Sequence, residues 1–524
     1  NFERNILNFV IDSMVPLRIV DNEHFKKIFS DLNVSHQGLK MLSRRSLGRK
    51  MDSVYEQNVD FLQQLFKNVK YVCSTADIWS GRRRSFLGLT AHWIEEDLRR
   101  RSVALACRRF KNAHTSDKIA EIISTIHEEF GLNPSKIVAT VTDNAANFVK
   151  AFKDYGIKEN CIEVEEQQDI YCCISESESD SETADFEISK NREFPLILPS
   201  HLKCSAHTLN LCILYSIHKR VMAKCNFLWR AASRPKTAEG IEKIIGFILS
   251  RPGETRWYSL YDALSKILLM KGKSPQVFQF LKIKNSLSEE DFLYIEEHLE
   301  CAKPVADALD ILQGEKHLYY GILTAVVYAL IPKLEKLLLK QFIFCKPIVE
   351  SLLNSINIRF KDIFQFANQD SMNAAIATIS HPEFKNRWFH RVPSAVQARI
   401  LNYFKEAVAA EVVQEEMNFE EASSTDRTDF FNFENEAAVT CQTTSAEIQV
   451  LHYLKGSQRN LDMLEKYPEI KKVFIKYNTP LPSSAPVERL FSYATMVNLP
   501  KCSKLSDKNF ETRVILKANS HLLS

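Results

Sequence analysis

Three β-rich runs in close succession, followed by a capped helix and one more apolar run, constrain this chain more than any other feature. Residues 71–78 (YVCSTADI), 86–94 and 102–110 are rich in β-branched, aromatic and apolar side chains, and they read as an antiparallel meander. A helix is predicted over 115–130, capped by Thr115 or Ser116 and closed by Gly131. The next run, 136–142 (KIVATVT), is apolar enough for a central strand. Asp77 ends the first strand and Asp143 follows the fourth, so the two acids come side by side if those strands pair.

A third acid stands far away, in residues 483–494 (SSAPVERLFSYA). Pro486 suits a first helical turn, the serines before it can cap, and Leu490, Phe491 and Ala494 give helical spacing for a buried face. Glu488 is expected to point inward, where a carboxylate persists only if paired, hydrogen-bonded or bound to a metal. Arg489 beside it offers a plain structural ion pair, and either aspartate alone reads as a turn Asp satisfying backbone N–H groups. Jointly, carboxylates on three separate elements can hold two Mg²⁺ ions, which prefer a few hard oxygen ligands and keep their waters. That is the requirement of a metal-dependent nuclease of the ribonuclease H type.

Five motifs then agree: residues 75–80 (TADIWS), 142–148 (TDNAANF), 204–211 (CSAHTLNL), 255–259 (TRWYS) and the block at 483–494. With these, the chain resembles the transposases of the hAT superfamily. The resemblance implies an α/β fold, a ribonuclease H-like catalytic core of mixed sheet and helices, interrupted by a large all-helical insertion. It implies Asp77, Asp143 and Glu488 as catalytic, metal-binding residues, Mg²⁺ with Mn²⁺ as substitute, and excision that nicks DNA and closes the flanking end as a hairpin. Trp257, next to Arg256, corresponds to a tryptophan that stacks on a base turned out of the duplex; the plain alternative is a core tryptophan at a helix start. Cys204 and His207 fall near the junction of core and insertion, where the resemblance implies a structural or DNA-proximal role, and both are candidate DNA contacts. As a Cys-x-x-His pair they supply two zinc ligands, but no second pair lies at finger spacing, and zinc is not expected.

Composition bears on partners. The formal charge of +3 conceals an asymmetry: residues 159–189 carry −11 and residues 411–436 carry −8, which leaves +22 on the remainder. Such a surplus suits a phosphate-rich partner. Arg44 and Arg45, Arg82, Arg83 and Arg84, and the arginines at 99–101 and 108–109 are candidate DNA contacts. The acidic stretches, low in apolar content and rich in Ser, as in the run SESESDSE at 175–182, are expected to be disordered loops. No run approaches a membrane span. Twelve irregularly spaced cysteines read as reduced thiols, not a disulfide framework.

The expected organisation is a helical DNA-binding and dimerisation region at 1–68, with Phe2, Ile6, Leu7, Val10 and Ile11 on one face. The core follows at 69–158 and 190–254, around an acidic loop at 159–189. An all-α insertion at 255–407, an acidic linker at 408–445 and a C-terminal dimerisation region at 446–524 complete the chain. The resemblance implies a BED zinc finger before the N-terminal region; none is present here, and the chain, opening mid-helix at Asn1, is expected to be a fragment whose finger was lost or trimmed. The implied function is a nuclear cut-and-paste DNA transposase of the DDE class, acting on terminal inverted repeats and target DNA as a homodimer or higher homo-oligomer. The alternative is a domesticated relative that binds DNA as a chromatin or transcription regulator without cutting it.

Overall fold

The computed structural model describes residues 2–31, 42–81, 84–157, 196–212, 219–253, 257–282, 286–314, 318–420, 446–498 and 505–522. Five strands, β1 (Val72–Gly81), β2 (Arg84–Ile94), β3 (Arg100–Phe110), β4 (Ile137–Thr142) and β5 (His201–Lys203), form one sheet in the order β3-β2-β1-β4-β5. The first three make an antiparallel meander, and β4 adds parallel to β1. β5 adds parallel to β4. The predicted helix spans Ser116–Glu129, with Gly131 in the left-handed region (φ +66) beyond its end. β3 begins at Arg100, earlier than its apolar pattern indicates, because that arginine is drawn in against the backbone carbonyls of Asn478, Thr479 and Pro480.

Alternation along the strands sends side chains to two covered faces. One face carries Ala76, Leu87, Leu89 and Leu105 beneath the helices Arg44–Asn68, Ser116–Glu129 and Ala146–Tyr155, which contribute Phe66, Ile123 and Phe152. The other carries Phe86, Ala104 and Cys107 beneath the helices Ala485–Val497 and Asp507–Ala518, which contribute Val487, Phe491, Phe510 and Val514. β4 lies between neighbours and is almost wholly buried, as its sequence indicates. The last helix also protects the sheet edge. Asn519 receives the Ala104 N–H at 2.8 Å and donates to the Ala104 carbonyl at 2.9 Å, as a neighbouring strand would.

Described residues from 205 to 497 are helices and turns without a strand. They bury a large apolar cluster that reaches the sheet at Cys73 and Val141. The helix Ser394–Glu420 runs into the stretch expected to be acidic linker, whose residues 421–445 lie outside the described residues, as does the acidic loop 159–189. At the N-terminus, Ile6, Leu7, Val10 and Ile11 are buried as their spacing predicts, and they pack with Leu47, Met51 and Leu516 of the C-terminal helix. Arg513 reinforces this junction by donating to the Met14 and Val15 carbonyls at 2.6 and 2.8 Å. No described helix is long and apolar enough to cross a membrane.

Candidate carboxylate site on the sheet

Parallel pairing of β1 with β4 matches Ser74 to Thr140 and Thr75 to Val141. Continued by two residues, this register brings Asp77 level with Asp143 on neighbouring strands, which run about 4.8 Å apart in sheets. Both are half-buried. Each has one oxygen engaged by nearby backbone, the Ile78 N–H on Asp77 at 2.7 Å and the Ala145 N–H on Asp143 at 3.2 Å. The turn role open to any single Asp is therefore filled at both positions.

On β2 the residue opposite Asp77 is Gly88. Val487 and Phe491 of the Ala485–Val497 helix press against it so closely that a Cβ there would lie 2.7 and 2.8 Å from them. Trp79 continues the packing, stacked between Phe86 and Phe491 with both ring centroids 6.0 Å away. The helix carrying Glu488 is thus seated over the strand pair that carries Asp77. Glu488 itself is half-buried, in place of the inward position expected, because Val487, Leu490, Phe491 and Ala494 take the buried face and leave it on the flank. Arg489 donates to the Gln313 carbonyl at 3.1 Å. Among the described residues, no three His, Cys, Asp or Glu side chains gather into a metal-holding group. The three carboxylates are hard oxygen donors suited to Mg²⁺, carried on elements packed against one another, but they are not drawn into a three-ligand cluster.

Cys204 ties this assembly together. Its N–H donates to the Thr142 carbonyl at 2.8 Å, and its sulfur accepts the N–H of His207 and that of Ser484, both at 3.3 Å. Ser205 N–H donates to the Pro482 carbonyl at 2.9 Å, and Ser483 Oγ receives the Ala485 N–H at 3.1 Å. The end of β4, the start of the Ser205–Leu211 helix and the start of the Glu488 helix therefore meet at one buried thiol. Burial raises its pKa, keeping it a neutral acceptor. His201 supports β4 from the other side, bonding Thr142 Oγ1 through Nε2 at 2.8 Å and stacking on Phe152 at 4.4 Å. Burial, with Lys203 nearby, lowers its pKa to about 4.

The remaining candidate contacts divide. Arg44 and Arg45 are exposed in the first turn of their helix. Arg84 holds the C-terminal helix, donating to the Leu505 carbonyl at 3.0 Å and lying 3.5 Å from Asp507. Arg82, Arg83 and Arg256 lie outside the described residues, and Trp257 opens the helix Trp257–Leu269. The runs at 99–101 and 108–109 are engaged within the fold. Arg101 pairs with Glu95 at 2.8 Å, and Arg108 makes two bonds to Glu129, at 2.8 and 3.0 Å, beside Glu511. Gly88, Trp79 and the strap role of Cys204 escape sequence reasoning, since each acts through a partner distant in the chain.

Comparison with known proteins bears on this region. Residues 75–164 match the family model of the ZBED1 RNase-like domain. The stretch includes Asp77 and Asp143, and the five-stranded mixed sheet accords with an RNase-like domain of this hAT-derived type. A 145-residue stretch is 23% identical to the "Putative transcriptional regulator tpeD" of Talaromyces stipitatus, covering 27% of this chain and 17% of that protein. The chain therefore aligns with under a fifth of that relative's length.

Proposed function

We propose that this chain is a DNA transposase of the hAT superfamily, whose ribonuclease H-like core is interrupted by the helices between β5 and Glu488. The observation that carries this reading is the β1–β4 register, which levels Asp77 with Asp143 beneath the elements that lead to Glu488. Asp77, Asp143 and Glu488 would hold Mg²⁺ through their carboxylate oxygens. When bound, the metal supplies activation of an attacking hydroxyl and charge stabilisation at the leaving oxygen. The chain's part is to hold the three acids on separate rigid elements. Gly88 allows the third element close to the first, and Cys204 fixes it to the second. Exposed Arg44 and Arg45 are proposed phosphate contacts, Arg256 and Trp257 contacts to the turned-out base, and His207 a DNA-proximal side chain. Terminal inverted repeats and target duplex, a homo-oligomeric assembly and a nuclear location complete the proposal.

A second reading, a domesticated regulator that binds DNA without cutting it, is favoured by one observation: the Talaromyces relative bears the description "Putative transcriptional regulator tpeD".

One experiment separates the two. A duplex bearing the inverted-repeat ends that flank the source gene is incubated with Mg²⁺ or Mn²⁺ and analysed on a denaturing gel. Nicks with hairpinned flanks that disappear in Asp143→Asn, with DNA binding retained, are expected for the transposase. Salt-sensitive binding without cleavage would overturn it in favour of the regulator.

A further inference from the structure

The helix bearing Glu488 also covers a cleft farther along the same sheet face, whose lining includes none of the three carboxylates. Its volume is about 370 Å³, and its walls include Thr90, His92, Arg100, Ser102, Arg489 and Tyr493. The β2–β3 register pairs His92 with Ser102 and Ile94 with Arg100, which brings the polar side chains of two strands under one helix.

Arg100 gives the cleft its chemistry. Its Nη groups donate to the backbone carbonyls of Asn478, Thr479 and Pro480, and its guanidinium lies 5.7 Å from the centre of the Tyr319 ring. Its Nε–H is buried without a hydrogen-bond partner, and the groups that favour its charge are Cys73 and Tyr319, neither of them a carboxylate. A half-buried cation held by carbonyl dipoles, with one N–H orphaned, is costly unless an anion completes the site. Arg489 supplies a second guanidinium on the facing helix. His92 adds no third charge: burial and both guanidiniums hold its pKa well below the usual range, and its Nε2 is bonded to Thr90 Oγ1 at 2.7 Å.

We infer that this cleft binds a nucleotide through its phosphate, with Arg100 and Arg489 holding the phosphate oxygens and Tyr493 lying along the base. Paired guanidiniums match phosphate oxygens in charge and in geometry. A volume of about 370 Å³ falls within the range of small-ligand sites and exceeds what a bare phosphate fills. Leu490, beside Tyr493 on the same helix, adds apolar wall suited to a planar ring. No metal and no strand cleavage enters this inference, so it stands or falls separately from the function proposed above.

Calorimetric titration of the whole chain with deoxyadenosine 5′-monophosphate, deoxyadenosine and inorganic phosphate tests it. The monophosphate should bind, more weakly at high salt, and more tightly than phosphate alone. Arg489→Gln should weaken it by about tenfold or more, the loss expected for one charge-assisted hydrogen-bond partner, and Arg489→Lys should recover part of that loss. Arg489 is the position to vary, because replacing Arg100, which holds three backbone carbonyls, risks unfolding. Competition by a 5′-phosphorylated oligonucleotide would identify a DNA end as the source of the phosphate, and its absence a free nucleotide. Equal binding of phosphate and monophosphate would overturn the nucleotide assignment. The whole inference fails if nothing binds, if deoxyadenosine binds as well as its monophosphate, or if Arg489→Gln binds like wild type with an unchanged circular dichroism spectrum.

Discussion

Gly88 sets how near the Glu488 helix comes to Asp77. It is required here for space, not for an unusual backbone angle, since a Cβ would sit 2.7 Å from Val487 and 2.8 Å from Phe491, inside the roughly 3.5–4.0 Å of ordinary carbon contact. Neither neighbour yields easily: Val487 is short and branched, and Phe491 is stacked on Trp79. Gly88→Ala is expected to destabilise the fold by about 1–3 kcal/mol through overpacking. A urea midpoint equal to wild type would show that the helix is not seated as described. Asp77 and Asp143 were legible in the sequence because strand ends are recognisable from alternation and length. Glu488 was legible as a lone acid in an apolar helix, but not its half-buried depth, which follows from how the helix rolls onto Gly88 and Phe86. A single glycine in a β run carries no local sign of what will press against it.

Between elements, Cys204 does for β4 and the Glu488 helix what Gly88 does for β1. Its sulfur accepts two backbone N–H groups from segments about 280 residues apart. Cys204→Val should leave both donors without an acceptor, at a cost of about 1–3 kcal/mol for each group that remains buried. Cys204→Ser keeps an acceptor and should lose less. Hydrogen exchange at the Ser484 amide measures the effect directly: protection as strong in the Val variant as in wild type would refute the strap. The meander, the helix Ser116–Glu129 and β4 were legible because period and caps are local properties. β5 was not, since three residues make no period and its pairing is set by β4. The partners of the arginine runs were hidden for a related reason. A sequence displays charge without its partner, and Arg100, Arg101 and Arg108 prove to be joined to carbonyls or carboxylates within the fold.

Across the described residues, four buried histidines and the half-buried His201 couple stability to pH. Burial lowers His127 to about 3 and His298 and His381 to about 4; His201 falls to about 4 through burial and Lys203, and burial, with two arginines nearby, holds His92 well below the usual range. In the unfolded chain each titrates near 6.5. Below that value the unfolded state takes up protons that the folded state refuses, so these groups contribute stability that is present above pH 6.5 and is lost as pH falls toward 4. The slope approaches about 1.4 kcal/mol per pH unit for each histidine. Glu511 opposes the trend, its pKa raised chiefly by burial, but it is one carboxyl and acts only near the foot of this range. Urea midpoints should therefore fall steeply from pH 7 to pH 5, and a flat profile would contradict the burial of these rings. His298 isolates one contribution, because both its ring nitrogens are buried without a hydrogen-bond partner. His298→Leu keeps the apolar packing beside Tyr294 and removes one titrating group, so its stability should depend less on pH, with the gain over wild type largest at pH 5.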